Sequence, residues 1–205
     1  MKIIIATHNK DKFKELHHGL SSLDVKLLSL YDFPQIKEII EDGKTLKDNA
    51  LIKARTVHRI TSLPAISDDT GLEVDALGGA PGVFTARYAG ENCSYLDNVN
   101  KMLREMKNVP ENKRGATFKT VMAYVDDNVE LTSKGIVQGT VTRTKKGVAG
   151  FGYDPIFYVQ EEGKTFAEMT IEKKNIISHR GQAINNFKSV LSSYIKKQQT
   201  AKESA

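Results

Sequence analysis

Ile3-Ile4-Ile5 constrains this chain more than any other feature. Three consecutive β-branched residues with no polar alternation describe a strand buried on both faces. Such a strand needs apolar cover on each side, and the sequence offers it. Phe13, Leu16, His17 and Leu20 fall at helical spacing just after the polar turn Thr7-His8-Asn9-Lys10. Thr45, with Asp48 three residues on, reads as a capping box that starts a helix whose inward stripe is Ala50, Leu51, Ala54 and Val57. Pro64-Ala65-Ile66-Ser67 is a second short strand that ends in Asp68-Asp69, and the glycines between Gly71 and Gly82 make the next stretch turn-rich. A box of Ser94 with Asp97 opens a helix carrying Leu96, Val99, Leu103 and Met106. Strands are expected over 117–125 and 136–142, adjacent and antiparallel, then a loop over 147–155 and a strand over 156–159. Thr165 with Glu168 is a third box, and the last helix starts near Ser178 with Ile184, Phe187, Leu191, Tyr194 and Ile195 inward. Residues 198–205 have little to bury and are expected to form a flexible tail. With no repeat and no linker, 1–197 reads as one α/β domain with a mixed sheet.

Composition excludes several classes. A chain of 205 residues with 40% hydrophobic and 27% charged residues fits a single globular domain rather than a disordered chain. Its 30 Lys+Arg against 25 Asp+Glu leave a net charge of +5, with the two signs interspersed. A chain that coats nucleic acid would gather its basic residues in runs, so no nucleic-acid partner is expected. The single cysteine, Cys93, allows neither an internal disulfide nor a thiolate metal cluster, which points to a reducing compartment. The apolar start is too short for a signal peptide, and nothing approaches the ~20 apolar residues of a membrane span. A soluble, cytoplasmic protein is the expectation.

Four clusters carry chemistry. Thr7-His8-Asn9-Lys10-Asp11-Lys12 delivers a strand into a helix start, where backbone N–H groups attract anions; Asn9 as a plain N-cap beside solvated lysines is the bland alternative. Asp68-Asp69 repel one another unless a cation or a basic side chain lies between them, and Glu41 can add a further oxygen ligand. An Asx-type turn accounts equally for Asp68-Asp69-Thr70-Gly71. Gly150-Phe151-Gly152-Tyr153-Asp154-Pro155 can press a ring on a purine base while Asp154 or backbone groups read its edge, or can be a packed turn. Ser178-His179-Arg180-Gly181 places two basic side chains where the helix dipole disfavours them, with Lys174 shortly before. An anion or hydrogen-bonding ligand would relieve that conflict. His17 and His18 read as surface or packing residues, and Arg87 is open between an ion pair and the site. Together the clusters describe a nucleotide site.

These segments, with Gly78-Gly79-Ala80-Pro81-Gly82 and Ala86-Arg87-Tyr88 between them, stand in the order seen in the inosine triphosphate pyrophosphatase family, the XTP/dITP diphosphatases. The chain resembles that family from Lys2 to about Tyr194, and Gly-Phe-Gly-Tyr-Asp-Pro and Ser-His-Arg carry most of the weight. The resemblance implies an elongated mixed sheet flanked by helices, in two lobes with a central cleft, and a homodimer. It implies Mg²⁺-dependent cleavage of ITP, dITP and XTP between the α- and β-phosphates, giving monophosphate and pyrophosphate. Thr7, Asn9 and Lys12, with the intervening His8, Lys10 and Asp11, would hold the phosphates. Glu41 and Asp69 would bind the metal, Asp69 also acting as general base. Asp68 and Lys53 would support that centre, and Thr70 would touch substrate. Phe151, Gly152, Tyr153, Asp154, Lys174, His179 and Arg180 would form the base pocket. His8 stands where the family more often has Gly, and Thr70 where Ser is commoner; neither removes a charge. A Maf-like pyrophosphatase, which prefers pyrimidine or modified nucleotides, is the nearest rival, and the two weightiest motifs argue against it.

Overall fold

The computed structural model describes residues 1–203. Along the chain lie β1 (Lys2–Ile5), α1 (Lys10–Leu20), β2 (Lys26–Ser29), α2 (Leu46–Thr61), β3 (Ala65–Val74), β4 (Pro81–Gly82), α3 (Tyr95–Glu105), β5 (Gly115–Val125), β6 (Glu130–Val141), β7 (Phe157–Val159), β8 (Lys164–Thr165), α4 (Ile171–Ile177) and α5 (His179–Glu203). The chain is α/β with a mixed sheet, and it divides into two compact units. The first comprises 1–69, 120–135 and the chain from 181 onward, the second 70–119 and 136–180. β3, β5 and β6 each give one part of their length to each unit.

In the first unit the strand order is β2-β1-β3-β5-β6. β1 pairs in parallel on both sides, with Ile4 opposite Leu28 of β2 and Ala65 of β3. Ile3, Ile4 and Ile5 are fully buried, as their run predicts. Ile3 and Ile5 pack with Leu16 and Leu20 of α1 and with Ala183, Phe187 and Leu191 of α5. Ile4 and Ala6 pack on the opposite face with Ala50, Ala54 and Val57 of α2. Each buried isoleucine contributes about 1.5–3 kcal/mol. The box at α2 is formed: Asp48 N–H donates to Thr45 Oγ1 at 3.1 Å and Thr45 N–H to Asp48 Oδ2 at 3.0 Å. β2 was not foreseen, because a four-residue edge strand with half-exposed side chains has no clear period.

In the second unit β4 pairs antiparallel with β3, and β6, β7 and β8 follow as antiparallel neighbours. One core holds this unit together, with Leu72, Val74, Phe118, Val137 and Phe157 from the strands and Val99 and Met102 from α3. The Ser94–Asp97 box caps α3. Thr165 and Glu168 also form their box, but it opens only a short 3-10 turn over Phe166–Glu168; α4 is capped by Thr170, which accepts from Lys173 N–H. Buried Arg114 donates to the carbonyls of Met106 and Val109, after α3, and of Val141 and Thr142, at the end of β6, tying the two segments together.

Several boundaries differ from expectation, and β6 starts at Glu130 rather than at 136. β3 runs on through Asp68-Asp69-Thr70-Gly71 to Val74, so the acidic pair lies inside a strand and the Asx turn is set aside. Its far end is kept extended by the pairing of Leu72 with Gly82 and Glu73 with Pro81. α5 continues through Glu203, past the expected start of the tail at 198. The last two residues of that expected tail, 204 and 205, lie outside the described residues.

Candidate active site

In the first unit, β1 ends at Ile5 and the chain turns through Thr7-His8-Asn9 into α1. Asn9 is the N-cap, its Oδ1 accepting from the N–H groups of Asp11 and Lys12 at 3.0 Å each, while its own N–H donates to Thr7 Oγ1 at 3.2 Å. The cap is real, yet Lys12 is not a solvated lysine: its Nζ stands 3.3 Å from Asp68 Oδ2. Asp11, in the first turn, suits the positive end of the helix. His8 and Lys10 are exposed. Tyr31 Oη donates to the His8 carbonyl at 2.7 Å and pins the turn from outside.

The two aspartates tolerate one another because each faces a lysine. Lys53 Nζ, on α2, lies 3.5 Å from Asp69 Oδ1 and 2.7 Å from Glu41 Oε2. Burial pulls the Lys53 ammonium down, but the charges of Asp69, Glu41 and Asp68 outweigh it and hold its pKa above the usual lysine value. Lys53 is therefore a fixed cation, not a base. Asn49, one turn earlier on α2, donates from Nδ2 to Asp69 Oδ2 at 3.2 Å. Glu41 Oε2 and Asp69 Oδ1 thus converge on one cationic point, a pair of hard oxygen donors of the kind Mg²⁺ takes alongside phosphate and water. Among the described residues no group of three His, Cys, Asp or Glu is placed to hold a metal by itself.

In the second unit, Lys174 of α4 is buried with Nζ 2.6 Å from Asp154 Oδ2 and 4.9 Å from the centre of the Phe151 ring. The same carboxylate oxygen accepts from Phe151 N–H at 2.9 Å. A Cβ on Gly150, whose φ is +73°, would collide with Asp154 Oδ2, so this backbone position requires glycine. Arg180 lies over the other edge of the arrangement, its Cζ 5.4 Å from the Phe151 centroid and its Nη2 donating to Thr70 Oγ1 at 3.1 Å. The His179 ring stacks on Phe118 at 4.3 Å. Tyr153 is buried in the core, its hydroxyl donating to the Thr85 carbonyl at 3.0 Å, and burial pushes its phenol pKa up.

The sequence-derived residues therefore fall into two groups. Thr7 to Lys12, Glu41, Lys53, Asp68 and Asp69 gather in the first unit; Thr70, Phe151 to Asp154, Lys174, His179 and Arg180 gather in the second. Within the second, Tyr153 faces the core and Gly152, with φ +61°, shapes the turn. Arg87, left open by the sequence, stands over the Phe84 ring at 5.3 Å. Asn49 and Tyr31 were missed. Asn49 had a signal: a polar residue four before Lys53 and beside the apolar stripe at Ala50.

Comparison with known proteins places the chain in a family. The Ham1 family model matches residues 3–190. The dITP/XTP pyrophosphatase of Geobacter sulfurreducens is 46% identical over 184 residues, covering 89% of this chain and 92% of that protein. The dITP/XTP pyrophosphatase of Escherichia coli K12 is 45% identical over 186 residues, covering 89% and 94%. Among solved structures, a HAM1 protein from Coxiella burnetii superposes with a TM-score of 0.86 at 39% identity, covering 94% of this chain and 99% of that one. The Staphylococcus aureus Ham1 protein gives 0.85 at 36% identity, covering 95% and 100%. In sequence and in fold alike, as its ordered motifs foretold, the chain belongs to the Ham1 family.

Proposed function

We propose that this protein is a nucleoside triphosphate pyrophosphatase that clears non-standard purine nucleotides, cutting ITP, dITP and XTP between the α- and β-phosphates to leave the monophosphate and pyrophosphate. The observation that carries the reading is the meeting of Glu41 Oε2 and Asp69 Oδ1 at the Lys53 ammonium, next to the Lys12–Asp68 pair. The names of the related dITP/XTP pyrophosphatases support it.

Glu41 and Asp69 would hold Mg²⁺, which when bound offsets phosphate charge and stabilises the leaving pyrophosphate. Lys12 and Lys53 add positive charge, with Thr7 and the backbone from His8 to Asp11 holding the phosphate chain in line. Asp69, fixed at both oxygens, orients the attacking water and draws its proton as the new P–O bond forms and the bridging P–O bond breaks. A carboxylate beside a cation is a weak base, so orientation is its larger contribution.

Choice of base follows from donors. Lys174, His179, Arg180 and the loop backbone supply N–H groups that suit a carbonyl at the purine 6-position, whereas the amino group of adenine would meet another donor. Phe151 offers the ring face for stacking. The reading includes a homodimer working in the cytoplasm, with no nucleic-acid partner. Among the described residues, no helix is long and apolar enough to cross a membrane.

A turnover panel of ITP, XTP, dITP, ATP, GTP and dTTP with Mg²⁺, products resolved as pyrophosphate or orthophosphate, tests this. Pyrophosphate from ITP, XTP and dITP is the expected result, with ATP spared by its 6-amino group and GTP, which shares the 6-carbonyl, spared through rejection of its 2-amino group. Preference for dTTP, or release of orthophosphate, would overturn it.

A further inference from the structure

We infer that Asn49 is a positioning residue for this reaction: its carboxamide ties the segment bearing Glu41 to Asp69 and so sets the spacing of the two carboxylates. The inference rests on the proposed pyrophosphatase reading of the site and deepens it.

Asn49 is 1% exposed. Its Oδ1 accepts from Gly43 N–H at 2.8 Å and its Nδ2 donates to Asp69 Oδ2 at 3.2 Å. A backbone N–H can only donate, so the amide atom facing Gly43 must be the oxygen, and the NH₂ group is then committed to Asp69. Flipping the amide would set donor against donor at Gly43 and acceptor against acceptor at Asp69. The two bonds stand or fall together.

The approach is close on the loop side as well. A Cβ on Gly43 would come 2.6 Å from Asn49 Oδ1, so glycine lets the chain settle directly onto the amide. Glu41 lies two residues before Gly43, and Lys53 lies four after Asn49, on the same face of α2. The side chain of Asn49 therefore anchors the Gly43 loop while Lys53, one turn on along the same face, bridges Glu41 and Asp69. Asp69 has Lys53 on Oδ1 and Asn49 on Oδ2, which leaves its plane little freedom to turn. Hydrogen-bonded partners of this kind behind a metal-binding carboxylate typically alter metal affinity or activity by about 10–100-fold when removed.

The test compares wild type with Asn49→Ala and Asn49→Asp. Mn²⁺ binding to the nucleotide-free protein is followed by electron paramagnetic resonance, and ITP turnover is measured against Mg²⁺. Asn49→Ala is expected to weaken Mn²⁺ binding about 10-fold or more and to lower kcat about 10–100-fold at saturating Mg²⁺. The KM for ITP should stay within about 3-fold, since the phosphate and base contacts remain. Asn49→Asp keeps an acceptor for Gly43 but turns the donor into a negative charge. It should lower kcat at least as far without weakening Mn²⁺ binding, because an added carboxylate attracts the cation while Asp69 loses its anchor. A fallen melting temperature with wild-type Mn²⁺ binding and kcat in Asn49→Ala means Asn49 only supports the fold, and overturns the inference. If Asn49→Ala does not fold, Asn49→Asp decides: wild-type kcat in that variant overturns it equally. Failure of the underlying reading shows separately, as wild-type protein that releases no pyrophosphate from ITP.

Discussion

The acid–lysine cluster of the first unit and the Phe151 loop of the second use charge in opposite ways. In the first, three carboxylates and two lysines are interleaved, so that Lys12 faces Asp68 while Lys53 faces Asp69 and Glu41. Removing one member leaves others to share its load. In the second, one buried ion pair, Lys174 with Asp154, fixes the loop, and the neighbours are rings: Phe151 and Phe166 against Lys174, Phe118 against His179. There the loss of one charge strands the other in an apolar place. The first region is thus a network of shared charges, the second a loop held by a single pair among rings.

That contrast can be broken by substitution. The largest effect is expected from Asp69→Ala, which should lower turnover of ITP by about 10²–10⁴-fold while thermal unfolding stays close to wild type. Retention of near-normal activity would remove Asp69 from the chemistry, and a collapse in stability would erase the difference between the regions. Lys174→Met should act on the fold as well as on the base contact. Leaving Asp154 buried without its partner costs about 3–5 kcal/mol, read by denaturant unfolding. A loss below about 1 kcal/mol, the range of exposed pairs, would mean that the ion pair does not fix the loop. Arg180→Ala should have the smallest effect on the fold and a selective one on substrate. We expect the KM for ITP and XTP to rise about 10-fold, the equivalent of ~1.4 kcal/mol for one charged hydrogen bond, with kcat altered less. An equal fall of kcat with unchanged KM would place Arg180 in the reacting group instead.

Much of the architecture was legible because it is written in short spacings. The triple isoleucine, the boxes at Thr45, Ser94 and Thr165, and the apolar stripe of α2 each depend on residues within a few positions of one another, and each is found in the structure. Where a signal was local but its consequence was not, the expectation fell short. The polar stretch Asp68-Asp69-Thr70-Gly71 reads in isolation equally as a turn or as a carboxylate pair at a strand end, yet it lies inside a strand, held by Gly82 and Pro81 at its far end and by lysines 56 and 16 positions away on its acids. The Thr165 box reads as the start of a helix but yields one 3-10 turn, with α4 beginning only after Thr170.

The sequence by itself determined that this is an α/β chain with helices on both faces of its first strand, and that its ordered motifs are those of one family. Periodicity and capping act within a turn or two of chain, and the identity and order of motif residues need no coordinates. The tertiary structure alone decided the partners: Lys12 with Asp68, Asn49 with Asp69, Lys174 with Asp154, and Tyr153 turned into the core toward Thr85. Those choices depend on which strands lie side by side and on the cost of burying a charge or a hydroxyl without a mate, a cost that becomes definite only when the packing around each group is complete.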